Sequence, residues 1–139
     1  MTMVGTEIQL VCIPPKDVRK IWGGVVDMID AGFAAFDVPM PADIIEQIEA
    51  DTRQLWVAVA DNKIKAAMLT QIFEMRSGKV VKALECGGED LYSWLPLRTG
   101  IEEFAKREHC VRVIVEGRPG WARLLPDYKM ISVTLEKRI

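Results

Sequence analysis

Hydrophobic positions along this chain recur in two rhythms, and the switches between them predict the order of its elements. Ile8 to Ile13 is a short apolar run stopped by Pro14 and Pro15, which supply no amide hydrogen to a ladder, so it predicts a first strand. From Asp17 to Ala31 the apolar residues Val18, Ile21, Trp22, Val25, Val26 and Ile29 fall at three- and four-residue steps. That is one face of a helix, with Asp17 near its start and Gly32 just past its end. Gly23 and Gly24 in its middle cost about 1 kcal/mol each against alanine, and they predict either a kink or the close approach of another backbone. Phe33 to Pro41 reads as a loop whose Phe33, Phe36 and Met40 cap a core or form a flap over a cleft. Pro41 to Asp51 restarts as a second helix, with Ile44, Ile45 and Ile48 as its apolar stripe.

The rhythm then shortens. Leu55 to Ala60 is apolar on both faces, Asp61 and Asn62 mark a tight turn, and Ile64 to Phe73 completes a hairpin expected at the centre of a sheet. Arg76 to Lys79 forms the next turn and Val80 to Cys86 a further strand, an antiparallel meander of three ended by Gly87 and Gly88. In the second half of Glu89 to Glu108, Leu97, Ile101, Phe104 and Ala105 return to helical spacing, and Lys106 and Arg107 suit the end of a helix that favours cations. Pro96 fits its first turn, with Asp90 or Ser93 as cap.

Val111 to Glu116 is rich in β-branched residues and predicts a strand. Gly117, Pro119 and Gly120 break it before one or two helical turns at Trp121 to Leu125, which Pro126 and Asp127 close. Lys129 to Arg138 sets Met130 and Ile131, Val133 and Leu135 against Ser132, Thr134 and Glu136. This predicts a last strand with one wet face, at a sheet edge able to pair with a second copy in a homo-oligomer. A strand that ends in a glycine-bearing break before a helix is where α/β sheets place ligands, so the site is expected around Val111 to Tyr128.

Composition narrows the functional classes. At 139 residues the chain is one domain, 1–139, long enough to bury about 70% of its unfolded surface. Its 50% hydrophobic residues are spread along the chain, which fits neither disorder nor a membrane span of about 20 consecutive apolar residues. With 18 basic and 20 acidic residues, the charge of −2 offers no basic stripe for nucleic acid. Cys12, Cys86 and Cys110 are odd in number without CxxC spacing, and Met1 to Thr6 lacks the regions of a secretory signal, so a reducing, cytoplasmic setting is expected. With one histidine beside those three scattered cysteines, no metal site is expected.

Among polar residues, Glu85 stands near the end of an apolar strand, where a carboxylate can act as a general base, or can face solvent or pair with Lys82 or Arg112. Glu116, Arg118 and Arg123 suit an anionic ligand, since arginine forks match phosphate and carboxylate; equally, Glu116 and Arg123 can pair with each other. Trp94 and Trp121 flank the two loops, as stacking platforms or as core. No serine, histidine and aspartate arrangement with a nucleophile elbow is present.

The element order, with the segments CGGEDLYSWLPL (Cys86 to Leu97) and EGRPGWARLLPDYK (Glu116 to Lys129), resembles the GCN5-related N-acetyltransferase (GNAT) family, most of all the small GNAT-like proteins of tailed phages and prophages. The resemblance implies an α/β fold, a mixed and mainly antiparallel sheet flanked by helices on both sides, whose fourth and fifth strands splay to grip acetyl-CoA. It implies acetyl transfer to a small-molecule or protein amine, with Glu85 or Glu116 as base and Tyr128 protonating the leaving thiolate. Cys86, Gly87, Gly88, Arg98, Gly100 and Arg123 would then hold the cofactor. It equally accommodates a non-catalytic phage accessory or virion-associated protein that uses the fold against a phage or host partner. The family's usual diphosphate loop (Gln or Arg, two residues, Gly, one residue, Gly or Ala) is absent. The glycine pair is followed instead by Glu89 and Asp90, each of which would repel a diphosphate by about 1 kcal/mol at close range, a charge that Arg98 offsets in part. Arg123 or Leu124 stands about where the family's tyrosine would be, and Tyr128 resembles the aromatic that follows.

Overall fold

Two tight turns and two irregularities in the ladders lay out the sheet in the computed structural model of the chain, which describes residues 8–89, 98–117 and 121–139. Its strands are β1 (Gln9–Cys12), β2 (Arg53–Ala60), β3 (Lys63–Met75), β4 (Gly78–Gly88) and β5 (Arg112–Val115), side by side in chain order. The first four run antiparallel to their neighbours, whereas β5 runs parallel to β4. Asp61 and Asn62 both take positive φ, 53° and 58°, the two-residue turn whose twist matches that of a hairpin. Across the next turn Met75 pairs with Gly78, whose φ of 125° is open to glycine and costly to other residues.

The helices divide between the two faces. On one face α1 (Val18–Ile21), α2 (Val26–Ala35) and α3 (Ile44–Glu49) pack over Leu55, Val57, Ala67 and Leu69. On the other, α4 (Thr99–Arg107) lays Ile101 and Ala105 on Trp56, Ala58, Ala66 and Met68. Trp56 anchors this second layer. Its ring meets Phe104 edge-on at 5.5 Å, and its indole N–H donates to Thr70 Oγ1 at 3.0 Å, while the Thr70 hydroxyl donates to Gln54 Oε1 at 2.8 Å. A buried indole with a partner keeps its apolar area without the cost of a stranded donor. The short α5 (Trp121–Leu124) follows β5.

The expected helix from Asp17 to Ala31 is broken into α1, a 3-10 turn at Trp22–Gly24, and α2. A Cβ on Gly23 would meet nothing within 4 Å and one on Gly24 only the Ile64 side chain at 3.9 Å, so the pair makes a kink and admits no backbone. α2 then runs through Gly32 to Ala35. It carries Phe33 into the core at 3% exposure, and Met40 packs against the same cluster; these residues cap the core.

Close backbone approach occurs further along. A Cβ on Gly32 would lie 2.7 Å from the Cys86 nitrogen, and one on Gly87 would lie 2.1 Å from the Met28 carbonyl oxygen. Helix α2 therefore crosses β4 with backbone against backbone, at two positions where only glycine leaves room.

The last expected strand does not form. Lys129 to Ile139 has no ladder partner and is exposed throughout; the sheet ends at β5 instead. Period-2 patterning shows that a segment suits a sheet, but a strand also needs an edge within reach. The proposed caps Asp90 and Ser93, and Pro96, lie outside the described residues.

Candidate functional site

Between Ala83 and Cys86, strand β4 carries one residue more than its neighbour. Met68 pairs with Cys86 and Thr70 with Ala83, so Leu84 and Glu85 together oppose Leu69. Such a bulge bends its strand and sharpens the local twist. It falls where β5 stops following: the parallel ladder runs from Val80 and Arg112 to Ala83 and Val115, the Glu116 N–H donates to the Ala83 carbonyl at 3.1 Å, and β4 continues to Gly88. The wedge between them is an open cleft. Leu84 and Cys86 form one wall, Val115, Glu116 and Trp121 the other, and Arg98, Leu125 and Tyr128 lie around it.

The surplus residue also sorts its neighbours between faces. Cys86 joins Ala83 and Met68 on the α4 side, while Glu85 turns to the α2 side, where its Cβ lies beneath Gly32 and its carboxylate accepts from the buried Arg53 guanidinium. Glu85 is buried, and its partner is neither Lys82 nor Arg112. Lys82 instead donates to Glu116 at 3.0 Å, so the expected pairing of Glu116 with Arg123 is replaced, and Arg112 donates to Ser77 Oγ at 3.0 Å. Of the three candidate acid-base residues, Glu116 and Tyr128 line the cleft and Glu85 does not.

A polar cluster borders the cleft where α4 begins. Tyr128 donates to Glu102 Oε2 at 2.7 Å, and Arg98 Nη2 donates to Asp127 Oδ1 at 3.1 Å. The Arg98 Nε lies 3.9 Å from Glu102 Oε2 and is buried with no hydrogen-bond partner among the described residues. Burial first, and then the Glu102 carboxylate that accepts its proton, hold the Tyr128 hydroxyl well above the usual phenol value. The Tyr128 hydroxyl therefore stays protonated at neutral pH, with its hydrogen directed to Glu102. Glu102 stands four residues after Arg98, a spacing that could have marked this pair from sequence, whereas nothing local marks Leu84 or Leu125 as lining residues.

The expected cofactor residues separate into two groups. Cys86 and Arg98 line the cleft, and Gly100 sits in the first turn of α4, where a Cβ would touch Leu10 at 3.6 Å. Gly87 and Gly88 face protein backbone: a Cβ at Gly88 would lie 2.4 Å from the Lys65 carbonyl oxygen, as one at Gly87 would meet Met28. Arg123 is exposed and away from the cleft lining. Glu89 has Lys65 3.3 Å away, which counters one of the two carboxylates after the glycine pair. Trp121 covers Gly117, where a Cβ would come within 2.9 Å of the indole. Trp94, Asp90 and Arg118 lie outside the described residues. Among the described residues no group of His, Cys, Asp and Glu is arranged to hold a metal, and no helix is long and apolar enough to cross a membrane.

A parallel β4–β5 pair that separates at a bulge in β4, with α4 behind it, is the arrangement of the GNAT acetyltransferase fold, and solved structures carry the same fold. An aminoglycoside acetyltransferase from an uncultured soil metagenomic sample, in complex with trehalose, superposes with a TM-score of 0.68 at 13% identity, covering 95% of this chain and 96% of that one. A GNAT family acetyltransferase from Staphylococcus aureus gives 0.64 at 14% identity, covering 96% and 100%. A predicted acetyltransferase from Clostridium acetobutylicum, solved with acetyl-CoA, gives 0.60 at 11% identity, covering 96% of each chain. No protein-family model and no curated protein matches the sequence. At these identities the likeness establishes the fold.

Proposed function

We propose that the chain is an N-acetyltransferase that moves an acetyl group from acetyl-CoA to an amine. The observation that carries this reading is the cleft opened where the β4 bulge parts β4 from β5. Its walls of Leu84, Cys86, Val115 and Trp121 suit a thin, amide-bearing arm, and Arg98 with the first turn of α4 offers positive charge and backbone N–H groups for phosphate. Acetyl-CoA, when bound, supplies the acetyl group as an activated thioester.

In this reading Glu116 accepts the proton of the incoming amine, directly or through water, and Tyr128 returns a proton to the departing thiolate. Lys82 donates to Glu116 Oε1 and so positions its carboxylate. Glu85, on the far side of the strand, holds the bulge in place through Arg53. The acceptor is an amine of a small molecule or of a protein. The soil acetyltransferase with this fold was also solved with sisomicin.

A second reading, a GNAT-fold interaction module such as a phage accessory or virion-associated protein, is favoured by two observations. The glycine pair is occupied by internal packing, and Arg98 is already countered by Asp127 and Glu102. Isothermal titration with acetyl-CoA and with coenzyme A separates the two. Micromolar binding, about −8 kcal/mol, supports the enzyme and an amine screen; absence of heat at millimolar ligand supports the module.

A further inference from the structure

We propose that Asp127 is an internal competitor for Arg98: its carboxylate holds the guanidinium that a phosphate group of the ligand takes on binding, and the ligand enters by displacing it. The inference rests on the acetyl-CoA reading and adds to it the residue that sets the ligand's affinity. Arg98 is the N-cap residue of α4 and lines the cleft. Its side chain makes no capping bond to the first turn, whose N–H groups favour an anion. The guanidinium itself is only partly used. Nη2 donates to Asp127 Oδ1 at 3.1 Å, whereas Nε is buried without a hydrogen-bond partner among the described residues, with Glu102 Oε2 3.9 Å away. Glu102 serves another donor, because the same Oε2 accepts from Tyr128 at 2.7 Å. A guanidinium presents its N–H groups as a fork, and a phosphate group can answer two of them where Asp127 Oδ1 answers one.

The contact is weak enough to exchange. The Arg98 and Asp127 side chains are 29% and 54% exposed, and water screens a pair so placed. A two-pronged, charge-assisted bond to phosphate is the stronger of the two. Displacement also costs little in packing, because the turn that carries Asp127 is fixed at its base. Leu125 is buried there, and its carbonyl accepts from the Tyr128 N–H at 3.0 Å, so the backbone keeps its place while the Asp127 side chain swings into water. The contact that counts against the cofactor when it is fixed becomes, when it exchanges, the term that lowers the cofactor's affinity.

The test is isothermal titration of coenzyme A into the wild type, Asp127→Asn and Glu103→Gln. The last removes the same charge from an exposed position on α4 and serves as the control. All three changes of side chain are close in size and exposed, and circular dichroism verifies that the proteins fold alike. Asp127→Asn is expected to bind at least about threefold tighter than the wild type, the scale of an exposed ion pair removed from the competition. Glu103→Gln should bind as the wild type does. A gain of affinity is the useful sign, since damage to the fold lowers affinity. Asp127→Asn that binds no tighter than the wild type overturns the proposal, and so do equal gains in the two variants, which net charge alone would give. Binding by none of the three overturns the acetyl-CoA reading and takes the inference with it; equal binding by all three overturns the inference alone.

Discussion

Arg53 and Glu85, 32 residues apart in sequence, form a buried ion pair across β3, with the Arg53 guanidinium 5.8 Å from the Phe33 ring centre. Side-chain exposure is 7% and 12%, so water screens neither charge well, and Arg53 Nε has no hydrogen-bond partner among the described residues. Removing one partner of such a pair leaves the other charge buried and uncompensated, at a cost of about 3–5 kcal/mol. Glu85→Gln is therefore expected to lower unfolding stability by about 3 kcal/mol in denaturant titration. The double variant Arg53→Met/Glu85→Leu should recover most of that loss, because no stranded charge remains. If Glu85→Gln lowers turnover while stability is unchanged, the carboxylate acts on the reaction and not on the bulge.

The helix–strand crossing gives a contrast between two glycines. Gly87→Ala pushes a methyl group to 2.1 Å from the Met28 carbonyl oxygen, which only a shift of α2 can relieve. A loss of about 3 kcal/mol or more is expected, at the upper end of overpacking costs. Gly23→Ala enters open space without positive φ and should stabilise by about 0.5 kcal/mol through the unfolded chain. Thermal unfolding of the two variants should move in opposite directions.

Tyr128 gives the protein an alkaline weakness. Its folded pKa lies above the unfolded value of about 10. The stability that the neutral hydroxyl contributes is thus complete below about pH 10 and is lost as pH rises toward the folded value. The unfolding midpoint of the wild type should fall more steeply above pH 10 than that of Tyr128→Phe, which has no proton to lose. Parallel curves would show that the hydroxyl does not titrate with unfolding.

Leu84 lies in the cleft wall and is only half-buried. Leu84→Trp fills the wedge without touching the Arg53–Glu85 pair on the other face. Acetyl-CoA affinity should drop at least about tenfold, about 1.4 kcal/mol, with the unfolding midpoint nearly unchanged. Equal affinity in the variant would place the cofactor elsewhere.

Much of the sheet was legible because its signals are local. Asp61-Asn62 sets a hairpin by its own backbone preferences, and Leu55 to Ala60 is too apolar for any place but the centre. The bulge was not legible. Strict alternation along β4 places Glu85 with Ala83 and Cys86 with Leu84, and only the pairing with β3 reveals that Leu84 and Glu85 share one position. The Arg53–Glu85 pair was hidden by its sequence separation, although two charges inside apolar strands signal a need for partners. The C-terminal pattern reads as a last strand, and Lys129 to Ile139 forms none. The kink at Gly23 and Gly24 was one of two readings that the residues allowed, and open space around Gly23 decides between them.

The single surplus residue in β4 has an arithmetic consequence. Deleting Leu84 would give a strand of regular count, in which Glu85 and Cys86 still point to their present faces, so neither the ion pair nor the core alternation objects. What would go is the bend. A straight β4 can keep step with β5 beyond Val115, and the two strands would zip together over the space they now leave. The opening is thus held by an odd number, one residue that has no counterpart across the ladder.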